Sequence, residues 1–155
     1  VLSLAALFAL FADMLEAPTD WETSSSQDLT SLGRLLEHMG EVDGALSLYQ
    51  KGAQAAESAR TKLEPLLAQA KLHKRHGEYN RALPLWEQAA ADGSLEALEE
   101  LAKYHEHSTR QLEKALAYTN QALRLLETNL DSDVFIRDFL HRQKRLAAKL
   151  QRRQA

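Results

Sequence analysis

The chain has 155 residues, 45% of them hydrophobic and 26% charged, with a formal net charge of -3, three prolines and no cysteine. That length supports one domain with a core of its own, and the charge is too small to impose disorder. Without cysteine there is no disulfide framework, thiolate zinc site or cysteine nucleophile, which fits a reducing, cytoplasmic setting. The near-neutral balance argues against an overall basic nucleic-acid binder while leaving room for a local patch.

In chain order, Val1 to Ala12 carry no charge. The stretch lacks the basic flank and cleavage site of a secretory signal, and it is too short to span a membrane, so no membrane association is expected. An apolar helix over 1–16 is expected instead, buried on all sides, and it reads as the tail of a missing upstream domain. Residues 17–26, with Pro18 and a run of small hydroxyl residues, read as a linker.

Everything after the linker reads as helix. No stretch alternates apolar and polar residues as a strand would. The helices are punctuated at Gly40, Gly77, Asp92-Gly93-Ser94 and His107-Ser108. Ser108 and Gln111 have the spacing of a capping box and predict a helix start there. Pro84 falls early in a helix, with Asn80 as the expected cap.

Overlaying the segments gives a repeat. The first unit has Leu29-x-x-Leu32-Gly33-x-x-Leu36, then Gly40-Glu41-Val42, then Ala45, Tyr49 and Gly52. The second has Leu66, Ala70 and His73, then Gly77-Glu78-Tyr79, then Ala82, Trp86 and Ala89. The third has Leu98, Leu101-Ala102 and His105, then Leu112, Ala115, Thr119 and Ala122. Small residues at Gly33, Ala45, Ala70, Ala82 and Ala115 allow close helix approach, while Tyr49, Tyr79 and Trp86 are expected between one helix pair and the next.

This pattern resembles the tetratricopeptide repeat over residues 27–128, in units 27–60, 61–93 and 94–128. No unit ends in the usual proline, Gln69 replaces a leucine, and Thr119 replaces an aromatic. The implied fold is all-α: a right-handed superhelix of about three helix pairs, with the N-terminal apolar helix before it and a long C-terminal capping helix, 129–155, after it. The apolar face of that last helix carries Val134, Phe135, Phe139, Leu140, Leu146 and Leu150.

Catalytic motifs are absent: there is no phosphate-binding glycine loop, no Gly-x-Ser-x-Gly and no His-Glu-x-x-His. His73 with His76, and His105-Glu106-His107, do not converge as metal ligands, so neither a metal nor a cofactor is expected. Glu99 and Glu100 read as a solvated face. The candidate binding surface is the concave groove, lined in this repeat family by the first helix of each pair. There Arg34, Lys71 and Lys103 follow the small packing residue in all three units, and Lys74 and Arg75 widen the basic strip. Equivalent positions stand roughly 10 Å apart in stacked helices, a spacing suited to an acidic peptide or a phosphodiester. The polar set by which chaperone-binding relatives clamp a carboxylate is not reproduced, since Thr30 and Ala68 stand there. On the last helix, Arg142, Lys144, Arg145 and Lys149 are candidate phosphate contacts, whereas the first 33 residues carry acids only.

A second resemblance concerns Val1 to Leu15 and the phrase Ala97 to His107 with Leu112 to Leu116. The first looks like the closing helix of the ribonuclease H-like, predicted exonuclease domain of bacterial proteins that continue into tetratricopeptide-like helices, and the second is similar to that family's C-terminal region. The resemblance implies a non-catalytic scaffold that docks a protein or peptide partner, the attached nuclease domain among the candidates. A nucleic-acid-binding accessory is the alternative.

Overall fold

The computed structural model describes residues 25–127 and 133–154, with the side chains of 133–135 and 154 outside the description. The expected helix over 1–16, most of the linker and the turn over 129–132 lie outside the described residues, as do the side chains of Val134 and Phe135. Within the described residues the chain is all-helical, with no strand. The helices are α1 (Ser26–Met39), α2 (Val42–Gln54), α3 (Ala59–Arg75), α4 (Tyr79–Ala91), α5 (Leu95–His107), α6 (Leu112–Glu127) and α7 (Asp133–Gln154). The chain divides into two compact units, one ending at Pro65 and the other beginning at Leu66, so the boundary falls within α3.

The first unit is built on close approach. α1 packs on α2, and the ring of fully buried Tyr49 lies on Gly33, where an added Cβ would stand 2.7 Å from Cε1. Tyr49 thus sits against α1 of its own helical hairpin, a place the missing side chain of Gly33 makes available, and its hydroxyl donates to Glu37 at 2.5 Å. Gly52 serves a second contact: a Cβ there would meet Thr30 Oγ1 at 3.0 Å and the Ser26 carbonyl at 3.2 Å. Pro65 explains the neighbouring polar contact. Proline has no N–H to give the carbonyl four residues back, and the Thr61 carbonyl accepts from the Ser26 hydroxyl at 3.3 Å instead.

Three interhelical turns share one solution. Gly40, Gly77 and Gly93 have φ of 86°, 74° and 85°, and each is followed by an amide that reaches back five residues: Glu41 to Leu36, Glu78 to His73 and Ser94 to Ala89. This closure satisfies carbonyls that the helix end leaves open. The turn after α5 has no glycine, and Arg110 takes the left-handed conformation there, with φ 55°. Ser108 accordingly caps the end of α5 and does not start the next helix, which begins at Leu112. The Ser108–Gln111 spacing therefore does not form the capping box it predicts: these residues make the turn, with Arg110 in the left-handed region. α4 begins at Tyr79 after Glu78, without a side-chain cap from Asn80. Pro84 lies inside α4, where only the bond to the Asn80 carbonyl is forfeited.

In the second unit α4 packs on α5, α5 on α6 and α6 on α7. The small residues Ala70, Ala82, Ala89, Ala97, Ala102, Ala115 and Ala122 are fully buried. Thr119, in place of an aromatic, is also fully buried, and its hydroxyl donates to the Ala115 carbonyl at 2.8 Å. Leu146 of α7 packs on Leu112 and Ala115 of α6, flanked by Leu116 and Leu150, and Gln143 donates to Asn120 at 2.7 Å beside them.

Gly33→Ala is expected to destabilise the chain by about 1–3 kcal/mol, the usual cost of overpacking a filled site. Urea unfolding followed by circular dichroism checks it; a change near zero would mean that the Tyr49 ring has room to move.

Candidate functional site

The charged side chains of the second unit converge on α5. Its outer turns carry Glu99, Glu100 and Glu106, which helical spacing distributes toward the elements on either side. Glu100, 16% exposed, bonds Lys74 from the last turn of α3 and Lys103 from α5 itself, the latter at 3.1 Å. Lys103 also reaches Glu99 at 2.9 Å, and the Lys74 ammonium stands 6.0 Å from the centre of the Trp86 ring, within cation–π range. Burial alone would raise the Glu100 carboxyl, but Lys74 and Lys103 together hold it below its ordinary value. Glu99 and Glu100 are therefore ion-paired and partly buried, not a solvated face.

Glu106 is the most enclosed of these groups, with its side chain fully out of solvent. Three cations from α7 meet it: Arg145 at 2.6 Å, Lys149 at 2.8 Å and Arg142 at 3.3 Å. Arg142 also approaches Glu99 at 3.7 Å. Desolvation pushes the Glu106 carboxyl up, and Lys149 with Arg145 more than offsets it, so the group stays ionised below the usual carboxylate range. Removing an ionised carboxylate from water costs several kcal/mol unless it is paired and hydrogen-bonded. Here α7 supplies the pairing, and its register is fixed by it.

A row of rings lies on another side of α5. Tyr79 of α4 stacks on Tyr104 with centroids 5.2 Å apart, and His105 stacks on Tyr118 of α6 at 5.6 Å. His105 is buried and its Nδ1 lies 3.1 Å from Thr109 Oγ1. Burial, with the Lys114 charge nearby, lowers its pKa, while burial raises that of the Tyr118 hydroxyl. His73 is likewise buried, and its Nδ1 stands 2.6 Å from Glu78 Oε2, a bond that holds the Glu78 carboxyl below its ordinary value. Each histidine thus has a partner in the packing.

The proposed groove cations meet different fates. In the first unit Arg34 is 60% exposed and pairs with Glu64 at 2.8 Å. In the second, Lys74 and Lys103 are committed to Glu100 and Glu99, Lys71 is exposed without an ion pair among the described residues, and Arg75 is exposed. Of the proposed phosphate contacts on α7, Arg142, Arg145 and Lys149 gather at Glu106, and Lys144 faces solvent. Sequence spacing does not reveal Glu106 as a hub, because its partners lie 36 to 43 residues away.

His105 gives the site a pH dependence. With the folded pKa below the ordinary 6.5, the unfolded chain takes up the proton first as pH falls, so stability declines from about pH 6.5 downward until the folded pKa is passed. Thermal melts between about pH 7.5 and 5.5 should show a falling midpoint in the wild type and a flatter profile in His105→Gln; equal slopes would contradict a neutral buried His105.

No family model matches the chain, and no curated protein matches it.

Proposed function

We propose that the chain is a non-catalytic helical-repeat scaffold for protein–protein interaction. On this reading it is a tetratricopeptide-like right-handed superhelix of about three helix pairs, working as the C-terminal part of a ribonuclease H-like exonuclease. Two features support the repeat reading: the same glycine closure recurs at Gly40 and Gly77, and small residues are buried at matching positions of the units, Gly33, Ala70 and Ala102 in one set and Ala45, Ala82 and Ala115 in the other. A stack of this kind buries little unless neighbours cover it, and it leaves an extended surface suited to a partner segment.

The observation that carries protein binding over nucleic-acid binding in the groove is charge compensation. Arg34, Lys74 and Lys103 each bond a carboxylate of the chain itself. A cation already neutralised releases few counterions when it meets a phosphate, and counterion release is the main source of affinity for a nucleic-acid backbone. Among the described residues of the candidate strip, Lys71 has no ion pair, and one cation is enough to orient a peptide rather than to track a polyanion.

Fluorescence anisotropy with a panel of labelled peptides tests this. Peptides should bind with an affinity that changes little between about 50 and 500 mM salt and is weakened by Lys71→Glu. Failure of every peptide, together with oligonucleotide binding that disappears in the combined Arg34→Glu, Lys71→Glu and Lys103→Glu variant, would replace the scaffold with a nucleic-acid groove.

A further inference from the structure

α7 carries seven lysines and arginines against Asp133 and Asp138, and the fold sorts them onto different faces. Arg142, Arg145 and Lys149 turn to Glu106. Arg137, His141, Lys144 and Arg152 lie on the opposite side from the buried residues Phe139 and Leu146, because their spacings of four, three and eight residues follow the helical repeat. All four are exposed, and none has an acidic partner among the described residues. The strip is about 22 Å long at the helical rise. Asp138 lines a small hollow with Glu99, Phe139 and Arg142 on the flank that faces α5.

We propose that this outer strip of α7 is a docking surface for the phosphodiester backbone of a nucleic acid, read without regard to sequence. Three observations point to that occupant. The first is charge: Arg137, Lys144 and Arg152, with His141 between them, stand exposed without an acidic partner among the described residues, a local positive strip on a chain whose net charge is -3. The second is composition. The centre of a protein interface is depleted in charge and needs an apolar or aromatic anchor, yet within the strip the apolar residue is Ala148, and Leu140, 41% exposed, stands at its edge. Nucleic-acid interfaces are polar and strongly positive, and most of their hydrogen bonds go to phosphate and sugar. The third is rigidity: burial of Phe139 and Leu146 and the bonds to Glu106 fix the rotation of α7, so the cations face outward before a ligand arrives. The surface uses none of the groove cations, and it stands or falls separately from peptide binding there.

The test is anisotropy of a fluorescein-labelled oligothymidylate of about 20 nucleotides with the full chain, titrated in salt. Neutralising three or four phosphates predicts a slope of log affinity against log salt of about -2 to -3. Arg137→Glu, Lys144→Glu and Arg152→Glu together should weaken binding at least tenfold, the corresponding glutamine set should weaken it less and flatten the slope, and Lys71→Glu should leave it unchanged. Melting curves by circular dichroism establish that each variant is folded. No binding by the wild type at about 25 mM salt, or equal binding by the charge-reversed variant, would overturn the assignment. Equal displacement by a polyglutamate of matched charge would also overturn it, in favour of an acidic protein segment.

Discussion

The buried carboxylate of Glu106 is the interaction on which the arrangement of the second unit depends. An ionised group with no solvent exposure is tolerated only where its charge is met, and the three cations that meet it all come from α7. Shape alone would let α7 roll on the apolar surface of α6, where Leu146 packs against Leu112 and Ala115. The bonds to α5 select one rotation, because Arg142, Arg145 and Lys149 occupy the flank that points there. The same choice sends Arg137, Lys144 and Arg152 outward. One buried acid thus divides a basic helix into a structural flank and an exposed one.

α5 is held from its other side by similar chemistry. Lys74 arrives from the end of α3, lies near the face of Trp86 and bonds Glu100. Other buried hydroxyls find partners within their own helix or on a neighbouring one. Thr30 and Thr119 turn back onto carbonyls of their own helices, and Ser26 takes the Thr61 carbonyl that Pro65 cannot serve. Among the described residues no buried side-chain nitrogen or oxygen lacks a partner. The specificity of the packing comes from these bonds and from small residues at crossings, since a core rich in alanine fixes distance better than it fixes rotation.

Helix content and most helix limits were legible in the sequence because they depend on local signals: glycines at 40, 77 and 93, serine at 94, and apolar residues at helical spacing. Local signals failed where tertiary demand was stronger. Ser108 has the chemistry of an N-cap, but Arg110 makes the turn, and α6 waits until Leu112. The cations of the candidate site were legible as residues and illegible as partners. Nothing near Arg145 in the sequence indicates that it meets Glu106, and although Lys103 lies within a turn of Glu99 and Glu100, nothing local shows that Lys74 and Arg142 reach them too. Charge patterns report faces of single helices, whereas compensation is a property of the packed chain.

The proposed phosphate binding on the outer strip presupposes that α7 is locked to α5 through Glu106. Hydrogen exchange followed residue by residue in the wild type and in Glu106→Gln measures that lock. Loss of the charge should accelerate exchange across residues 136–150 of α7 by roughly tenfold or more while leaving α1 and α2 unchanged. Unaltered exchange in α7 would mean that apolar packing on α6 suffices to hold the helix, and that its cations are not sorted by the buried acid.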